Sequence, residues 1–283
     1  NIDVAVIFGM IEATPIVECS IAIYDPQNTY SPLLFSETGS LAESLVYITN
    51  ANELTLFFCK AEKESKSIEI MAEWLLQKES AVAVVVKCGQ RGVYVLSESE
   101  KGCWLNAYKT EKVFPIGSGD SFVSAFAYFW QVKDMSFVDA ARNSSVAAAY
   151  YVSHKTMNNE EGLKIYSETL MPLSTEISNK KVYLAGPFFT LSELWMINEA
   201  KRYIEAFNME VFSPYHDVGI GSADQVVQKD LDAIVDCDVM YALFDGTDPG
   251  TLFEIGYARK LNKPVIILSE NSKREDPKMN AGP

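Results

Sequence analysis

Histidine is nearly absent from this chain. His154 and His216 are the two it has, too few and too far apart for a His-rich metal centre. The five cysteines (Cys19, Cys59, Cys88, Cys103 and Cys237) form no C-x-x-C pair and have no close histidine. That spacing excludes a zinc ribbon or dithiol redox motif and fits reduced thiols in a cytoplasmic protein. Basic residues are also scarce, 24 Lys and Arg against 38 Asp and Glu, for a formal net charge of −14. A nucleic-acid polymer is therefore not an expected partner, because such binding draws on Lys and Arg to neutralise phosphates. Small ligands, which need only a few local donors, stay open. No apolar run reaches the ~20 residues of a membrane-spanning helix, so a membrane is not an expected partner either. The chain starts at Asn1 directly on a strand-like run, and we read it as a piece of a longer protein with sequence missing upstream.

What is present is ordinary for a globular protein: 283 residues, 48% hydrophobic and 22% charged, enough for two domains of ~100–200 residues each. Short β-branched runs alternate with helical patterns. Strands are expected at Val4–Phe8, Cys19–Tyr24, Leu54–Phe58, Ala81–Lys87, Gly92–Leu96, Val182–Ala185, Glu210–Phe212, Val239–Phe244 and Val265–Leu268. Helices are expected near Ser65–Lys78, Asp120–Gln131, Phe137–Val152, Leu191–Phe207, Val226–Asp236 and Leu252–Leu261. This alternation implies βαβ units around a largely parallel sheet. A polar stretch from Pro172 to Asn179 without helical period separates a domain at 1–174 from one at 180–283.

In a parallel sheet the ligand sits beyond the carboxyl ends of the strands. The C-terminal domain puts its unusual polar residues there: Tyr183 and Gly186-Pro187 on and after its first strand, Ser213-Pro-Tyr-His216-Asp217 after its second, and Asp245 to Thr251 after its third. Glu254 follows on what we read as the first turn of a helix, where a carboxylate would simply complement the helix dipole. Its neighbours suggest more. The run Asp248-Pro-Gly250-Thr-Leu-Phe-Glu254-Ile-Gly-Tyr-Ala258 resembles the signature of the nucleoside 2-deoxyribosyltransferase family. Lys181-Val-Tyr183-Leu-Ala-Gly186-Pro187-Phe resembles its first strand and turn, and Val227 to Asp238 the helix before its central strand.

The resemblance implies a flavodoxin-like parallel-sheet domain that needs no cofactor. Glu254 would be the nucleophile that forms a covalent deoxyribosyl intermediate, Asp230 the group managing the proton of the departing base, and Tyr183 the phenol holding Glu254. Asp248, Gly186, Pro187 and Gly250 would line the sugar. Asn280 would correspond to a residue lent by a neighbouring subunit, which implies a homo-oligomer. Free nucleoside and 5′-phosphate both remain open as substrates, with a nucleobase as second partner. Transfer to a base and hydrolysis as an N-glycosidase are likewise both open. Asp238 reads as a turn residue and Asp232 and Asp236 as solvated helix charges. His216 could be loop polarity or a ligand contact.

In the N-terminal region, Val113-Phe-Pro-Ile-Gly117-Ser118-Gly119-Asp120-Ser-Phe122 places glycines before a helix, where free N–H groups can cradle a transferring phosphoryl group and Asp120 can take a hydroxyl proton. This run resembles the second signature of the ribokinase-like (PfkB) carbohydrate kinases. Lys87-Cys-Gly89-Gln-Arg-Gly92 resembles that family's nucleotide-contacting turn, and Asn143 lies on the helix that there flanks the adenine. Asn50-Ala-Asn-Glu53 fits its Asn-x-x-Glu motif, linked indirectly to the metal. The resemblance implies a three-layer α/β/α fold and, if the domain is active, ATP and Mg2+. The domain is truncated, however: nothing before Asn50 resembles the family's sugar-binding Gly-Gly motif, and Tyr24-Asp25-Pro-Gln27 looks like the fold's middle strand. The leading expectation is thus a glycosyl-transfer enzyme fused to a partial kinase module. The alternatives are a nucleotide-binding sensor or scaffold without turnover, and a sugar or nucleoside kinase with an inert C-terminal domain.

Overall fold

The structure, a computed structural model, describes residues 2–10, 13–28, 30–173, 180–205, 207, 209–219, 223–246 and 248–270. The chain divides into two compact units, Asn1–Thr175 and Glu176–Pro283.

Unit 1 is built from β1 (Ile2–Phe8), β2 (Glu18–Asp25), a single turn α1 (Phe35–Thr38), β3 (Leu41–Asn50), α2 (Ala51–Glu62), α3 (Ile68–Lys78), β4 (Ala83–Lys87), β5 (Val93–Ser97), β6 (Cys103–Leu105), α4 (Ser118–Ala127), α5 (Phe137–His154) and α6 (Glu160–Ser167). The six strands lie in chain order; β1 to β4 are parallel, and β5 and β6 are antiparallel additions. Alternate residues of a strand face opposite sides, and here both sides are buried. Leu45, Tyr47, Val84 and Val86 pack with Leu54, Phe57, Met71 and Leu75 of α2 and α3. Val46, Ile48, Ala83 and Val85 pack with Phe122, Phe126, Ala140 and Ala147 of α4 and α5. The result is the three-layer α/β/α arrangement.

One expected strand is a helix. Leu54–Phe58 lies inside α2. The run Leu-Thr-Leu-Phe-Phe suits a strand, but Asn50 and Glu53 start a helix ahead of it. The Asn50 side chain accepts from the Glu53 N–H at 2.9 Å, and the Glu53 carboxylate accepts from the Asn50 N–H at 3.0 Å. The strand in this part of the sheet is instead β3, absent from the sequence reading.

The β4–β5 turn depends on Gly92, whose φ is +90°. A Cβ there would lie 1.9 Å from the Leu105 carbonyl oxygen. Gly92→Ala combines a left-handed backbone with a backbone clash and should cost unit 1 about 2–3 kcal/mol. The midpoint of urea unfolding, followed by fluorescence, measures the loss.

Unit 2 runs β7 (Lys181–Ala185), α7 (Leu191–Glu205), β8 (Glu210–Phe212), α8 (Ala223–Asp236), β9 (Val239–Leu243), α9 (Pro249–Lys260) and β10 (Val265–Leu268). Its sheet is wholly parallel in the order β10-β9-β7-β8, the flavodoxin-like order in which the chain reverses direction between β7 and β9. Tyr183, Ala185, Met240 and Ala242 face α8 and α9 through Ile234 and Ile255. Leu184, Val211 and Leu243 face α7 through Ile197. Among the described residues, no helix is long and apolar enough to cross a membrane.

Candidate active site

The switch point between β7 and β9 is where α9 brings its carboxylate to β7. Asp248 caps α9, accepting from the Thr251 N–H at 2.7 Å and the Thr251 hydroxyl at 2.9 Å. Pro249 then occupies the first helical position, where its missing N–H costs nothing. This start fixes the helical phase and turns Glu254 toward the sheet. The Tyr183 hydroxyl donates to Glu254 Oε1 at 2.7 Å. Tyr183 is fully buried, and its ring stacks on Phe212 of β8 with centroids 5.6 Å apart. The phenol therefore has one orientation, and so has the carboxylate it holds.

Glu254 is the sixth residue of α9 and lies in its second turn. The first-turn placement read from the sequence is wrong. Pro249 starts the helix three residues earlier than the Leu252 expected for it, and the dipole role goes to the capping Asp248. Burial pushes the Glu254 carboxyl up to about 7; the Tyr183 hydrogen bond pulls down against this, while the charges of Asp230 and Asp248 push further up. Asp230, on α8, is raised to about 6 by burial. Its Oδ1 is buried with no hydrogen-bond partner among the described residues.

Tyr183, Glu254, Asp230 and Asp248 are thus linked by a hydrogen bond or by mutual charge. Gly186 serves packing, since a Cβ there would sit 3.0 Å from Leu243 Cβ and 3.1 Å from Ile197 Cδ1. Pro187 beside it is buried. Gly250 lies in the first turn of α9, where a Cβ would meet Asp248 Oδ2 at 3.1 Å. Asn280 lies outside the described residues. His216 bridges Asn198 Oδ1 at 2.9 Å and Ser213 Oγ at 3.1 Å.

Unit 1 gathers a second cluster. Gly117, with φ of +82°, precedes α4, whose first residues are Ser118, Gly119 and Asp120. Lys87 ends β4 and reaches this point, its Nζ lying 3.5 Å from where a Cβ on Gly119 would be. The same ammonium pairs with Asp25 at 2.8 Å, and the Gln27 amide donates to Asp120. Asp25 is 1% exposed, and its Oδ1 has no partner among the described residues. Burial raises its carboxyl, and Lys87 offsets part of that rise. Asp25 and Gln27 as partners of Lys87 and Asp120 were missed in the sequence reading; their place at the carboxyl end of an interior strand was the available signal.

The ammonium, the glycines and the start of a ten-residue helix suit a phosphate group. The metal side fits less well. Asn50 and Glu53 are committed to the α2 cap, and Glu53 also accepts from the Thr49 hydroxyl at 2.9 Å and the Asn28 N–H at 3.1 Å. Among the described residues, no three His, Cys, Asp or Glu side chains stand together as a metal site. Gly89 opens the short turn between β4 and β5, and Asn143 on α5 donates to the Asp139 carbonyl at 2.9 Å.

Residues 182–281 match the model of the nucleoside 2-deoxyribosyltransferase family, and residues 39–161 match that of the pfkB family of carbohydrate kinases. The chain carries both kinds of domain. Among solved structures, it is similar to a ribokinase from Thermotoga maritima, with 22% identity and a TM-score of 0.45 over 52% of this chain and 49% of that one. A 2-deoxyribosyltransferase from Bacillus psychrosaccharolyticus is 30% identical with a TM-score of 0.30, over 33% of this chain and 77% of that one. One from Leishmania mexicana is 26% identical with a TM-score of 0.30, over 33% and 67%. The chain therefore spans about half the length of the ribokinase it matches. No curated protein matches the chain.

Proposed function

We propose that unit 2 breaks the N-glycosidic bond of 2-deoxyribonucleosides or their 5′-phosphates through a covalent intermediate on Glu254. The observation that carries this reading is the buried Tyr183 phenol donating at 2.7 Å to a carboxylate coupled to Asp230. Glu254 attacks the anomeric carbon, the bond to the base breaks, and its electron pair leaves with the base nitrogen. Asp230 supplies the proton that neutralises the base. In the second half an acceptor base, or water, gives its proton to Asp230 and bonds to the anomeric carbon. Glu254 leaves as carboxylate, with net retention. Asp248, with one oxygen committed to the α9 cap, has the other for a sugar hydroxyl. The working assembly in this reading is a homo-oligomer in the cytoplasm, its site completed across subunits.

The direct test is to incubate the protein with a panel of deoxynucleosides and deoxynucleotides, with and without a second base, and to identify products. Mass spectrometry of the quenched protein should show a deoxyribosyl adduct on the peptide holding Glu254. Absence of base release from every substrate would count against the reading.

Tyr183→Phe gives a second expectation. The phenol favours the ionised Glu254, so its loss raises that carboxyl further. The upper limb of the rate profile, set by the group of the Asp230–Glu254 pair that titrates near 7, should move to higher pH, and turnover should fall roughly ten- to a hundredfold, as for loss of one fixed donor. An unchanged upper limb would mean the phenol does not tune Glu254.

A second reading, phosphoryl transfer in unit 1, is favoured by Lys87 reaching Gly119 in the first turn of α4, with Asp25 pairing Lys87 and Gln27 donating to Asp120. ATP would then be held at Gly117–Gly119, with Asp120 as base for an acceptor hydroxyl. Loss of ATP-dependent phosphorylation in Asp120→Asn tests it.

A further inference from the structure

Unit 1 holds a phenol that its fold does not use. Tyr151 lies near the end of α5, half-buried, and among the described residues its hydroxyl has no hydrogen-bond partner. Other phenols of the unit are engaged: Tyr24 donates to the Leu33 carbonyl at 2.9 Å and Tyr47 to Glu79 at 2.8 Å. A hydroxyl drawn out of bulk water is normally given an acceptor, so an idle one held in a fixed place points to a ligand.

The place of this hydroxyl is fixed by the end of α5. The Phe114 N–H donates to the Val152 carbonyl at 2.9 Å, and the Lys155 ammonium lies 4.1 Å from the centroid of the Phe114 ring. These contacts tie the chain that leads into α4 to the last turn of α5. They leave the Tyr151 hydroxyl against Gly117, where a Cβ would lie 2.6 Å from Oη. Gly117 is thus required twice, by that approach and by its φ of +82°.

Gly117 begins α4, a ten-residue helix without a side-chain cap. The Ser118 and Ser121 N–H groups reach the Pro115 and Gly117 carbonyls at 3.1 and 3.0 Å. Those of Gly119 and Asp120 between them meet no acceptor among the described residues. Lys87 reaches the same turn from β4, its Nζ lying 3.5 Å from where a Gly119 Cβ would be. It is held there by Asp25, whose second oxygen is buried without a partner among the described residues. Two idle N–H groups, an ammonium and an idle hydroxyl therefore border one helical turn. All are donors, the set that a phosphate recruits.

Resting on the reading that unit 1 takes a phosphate at this turn, we infer that the Tyr151 hydroxyl donates to that phosphate from the α5 side, as Lys87 does from the sheet. Its part is separable from that of the lysine. Lys87 also serves the buried Asp25, so its removal would disturb the fold. Tyr151→Phe removes one oxygen that unit 1 itself does not bond, and it keeps the ring.

The test uses the full chain, with ATP binding in Mg2+ measured by titration calorimetry and stability by urea unfolding. Tyr151→Phe should weaken ATP about tenfold, the size of one hydrogen bond to a charged acceptor, with the unfolding midpoint unchanged. Inorganic triphosphate, which has the phosphates of ATP without its nucleoside, should weaken by the same factor. ATP bound by the variant as tightly as by wild type overturns the inference. So does a loss for ATP that inorganic triphosphate does not share, which would place the hydroxyl on another part of the nucleotide. A lower unfolding midpoint overturns it too, because the hydroxyl would then be a strut. Wild type that binds neither ATP nor triphosphate overturns the phosphate reading of unit 1 and this inference with it.

Discussion

Replacing Glu254 by Gln should lower base release from a deoxynucleoside by 10⁴-fold or more, on the order seen when a covalent nucleophile is removed. An amide oxygen can still accept the Tyr183 hydrogen bond, so the change removes charge and nucleophilicity while keeping shape. Loss of activity through unfolding is distinguishable, because the same substitution should stabilise unit 2. The fold raises the Glu254 carboxyl from its ordinary value of 4.5 to about 7. The folded state therefore binds that proton more tightly than the unfolded chain does. Its contribution to stability is complete below pH 4.5 and is lost as pH rises through 7. At pH 8 the ionised carboxylate is a burden on the order of 3 kcal/mol, which Gln does not carry. The variant should melt several degrees higher than wild type at pH 8, with the difference closing toward pH 5. A protein that gains stability where it loses activity has given up a reacting group rather than a strut. If Glu254→Gln released base at the wild-type rate, the covalent reading would fail outright.

How much of this was legible beforehand differs between the units. In unit 2 the strand limits were readable almost to the residue, because β7, β8, β9 and β10 are short runs rich in apolar and aromatic residues between polar or turn residues. The order of Tyr183, Asp230, Asp248 and Glu254 along the chain was readable too. The phase of α9 was not. Pro249 and Gly250 look like loop residues, and only the Asp248 cap shows that they are the helix's first turn. In unit 1, Leu54–Phe58 was misread because strand propensity describes a half-buried surface rather than a backbone preference. The capping box at Asn50 and Glu53 overrode it. The pairing of Asp25 with Lys87 was out of reach, since 62 residues separate them and a parallel crossover brings them together.

Asp230→Asn should reshape the pH profile of turnover as well as lower it. Asp230 and Glu254 titrate as a coupled pair, with values near 6 and 7. The proposed reaction needs one proton on the pair, with Glu254 ionised to attack and Asp230 protonated to release the base; since Glu254 holds its proton the more tightly, this is the less populated of the two one-proton arrangements. Below about 6 the pair holds two protons and lacks a nucleophile; above about 7 it holds none and lacks an acid. The kcat/KM of wild type should therefore be bell-shaped, with its maximum between those values. Asn removes the acid and, with it, a charge that raises Glu254. The alkaline limb should vanish, leaving a single acid limb at the Glu254 carboxyl's own value, below the 7 it has beside Asp230. Turnover of ordinary deoxynucleosides should fall roughly 10²- to 10⁴-fold, the range for removing a general acid. A deoxyriboside whose leaving group departs as a stable anion, such as a nitrophenolate, has no need of that proton and should lose far less. A variant that kept both limbs and slowed the two substrates equally would show that Asp230 acts by shape alone. A variant that rescues itself only on the activated substrate assigns the proton to Asp230 and leaves the attack to Glu254.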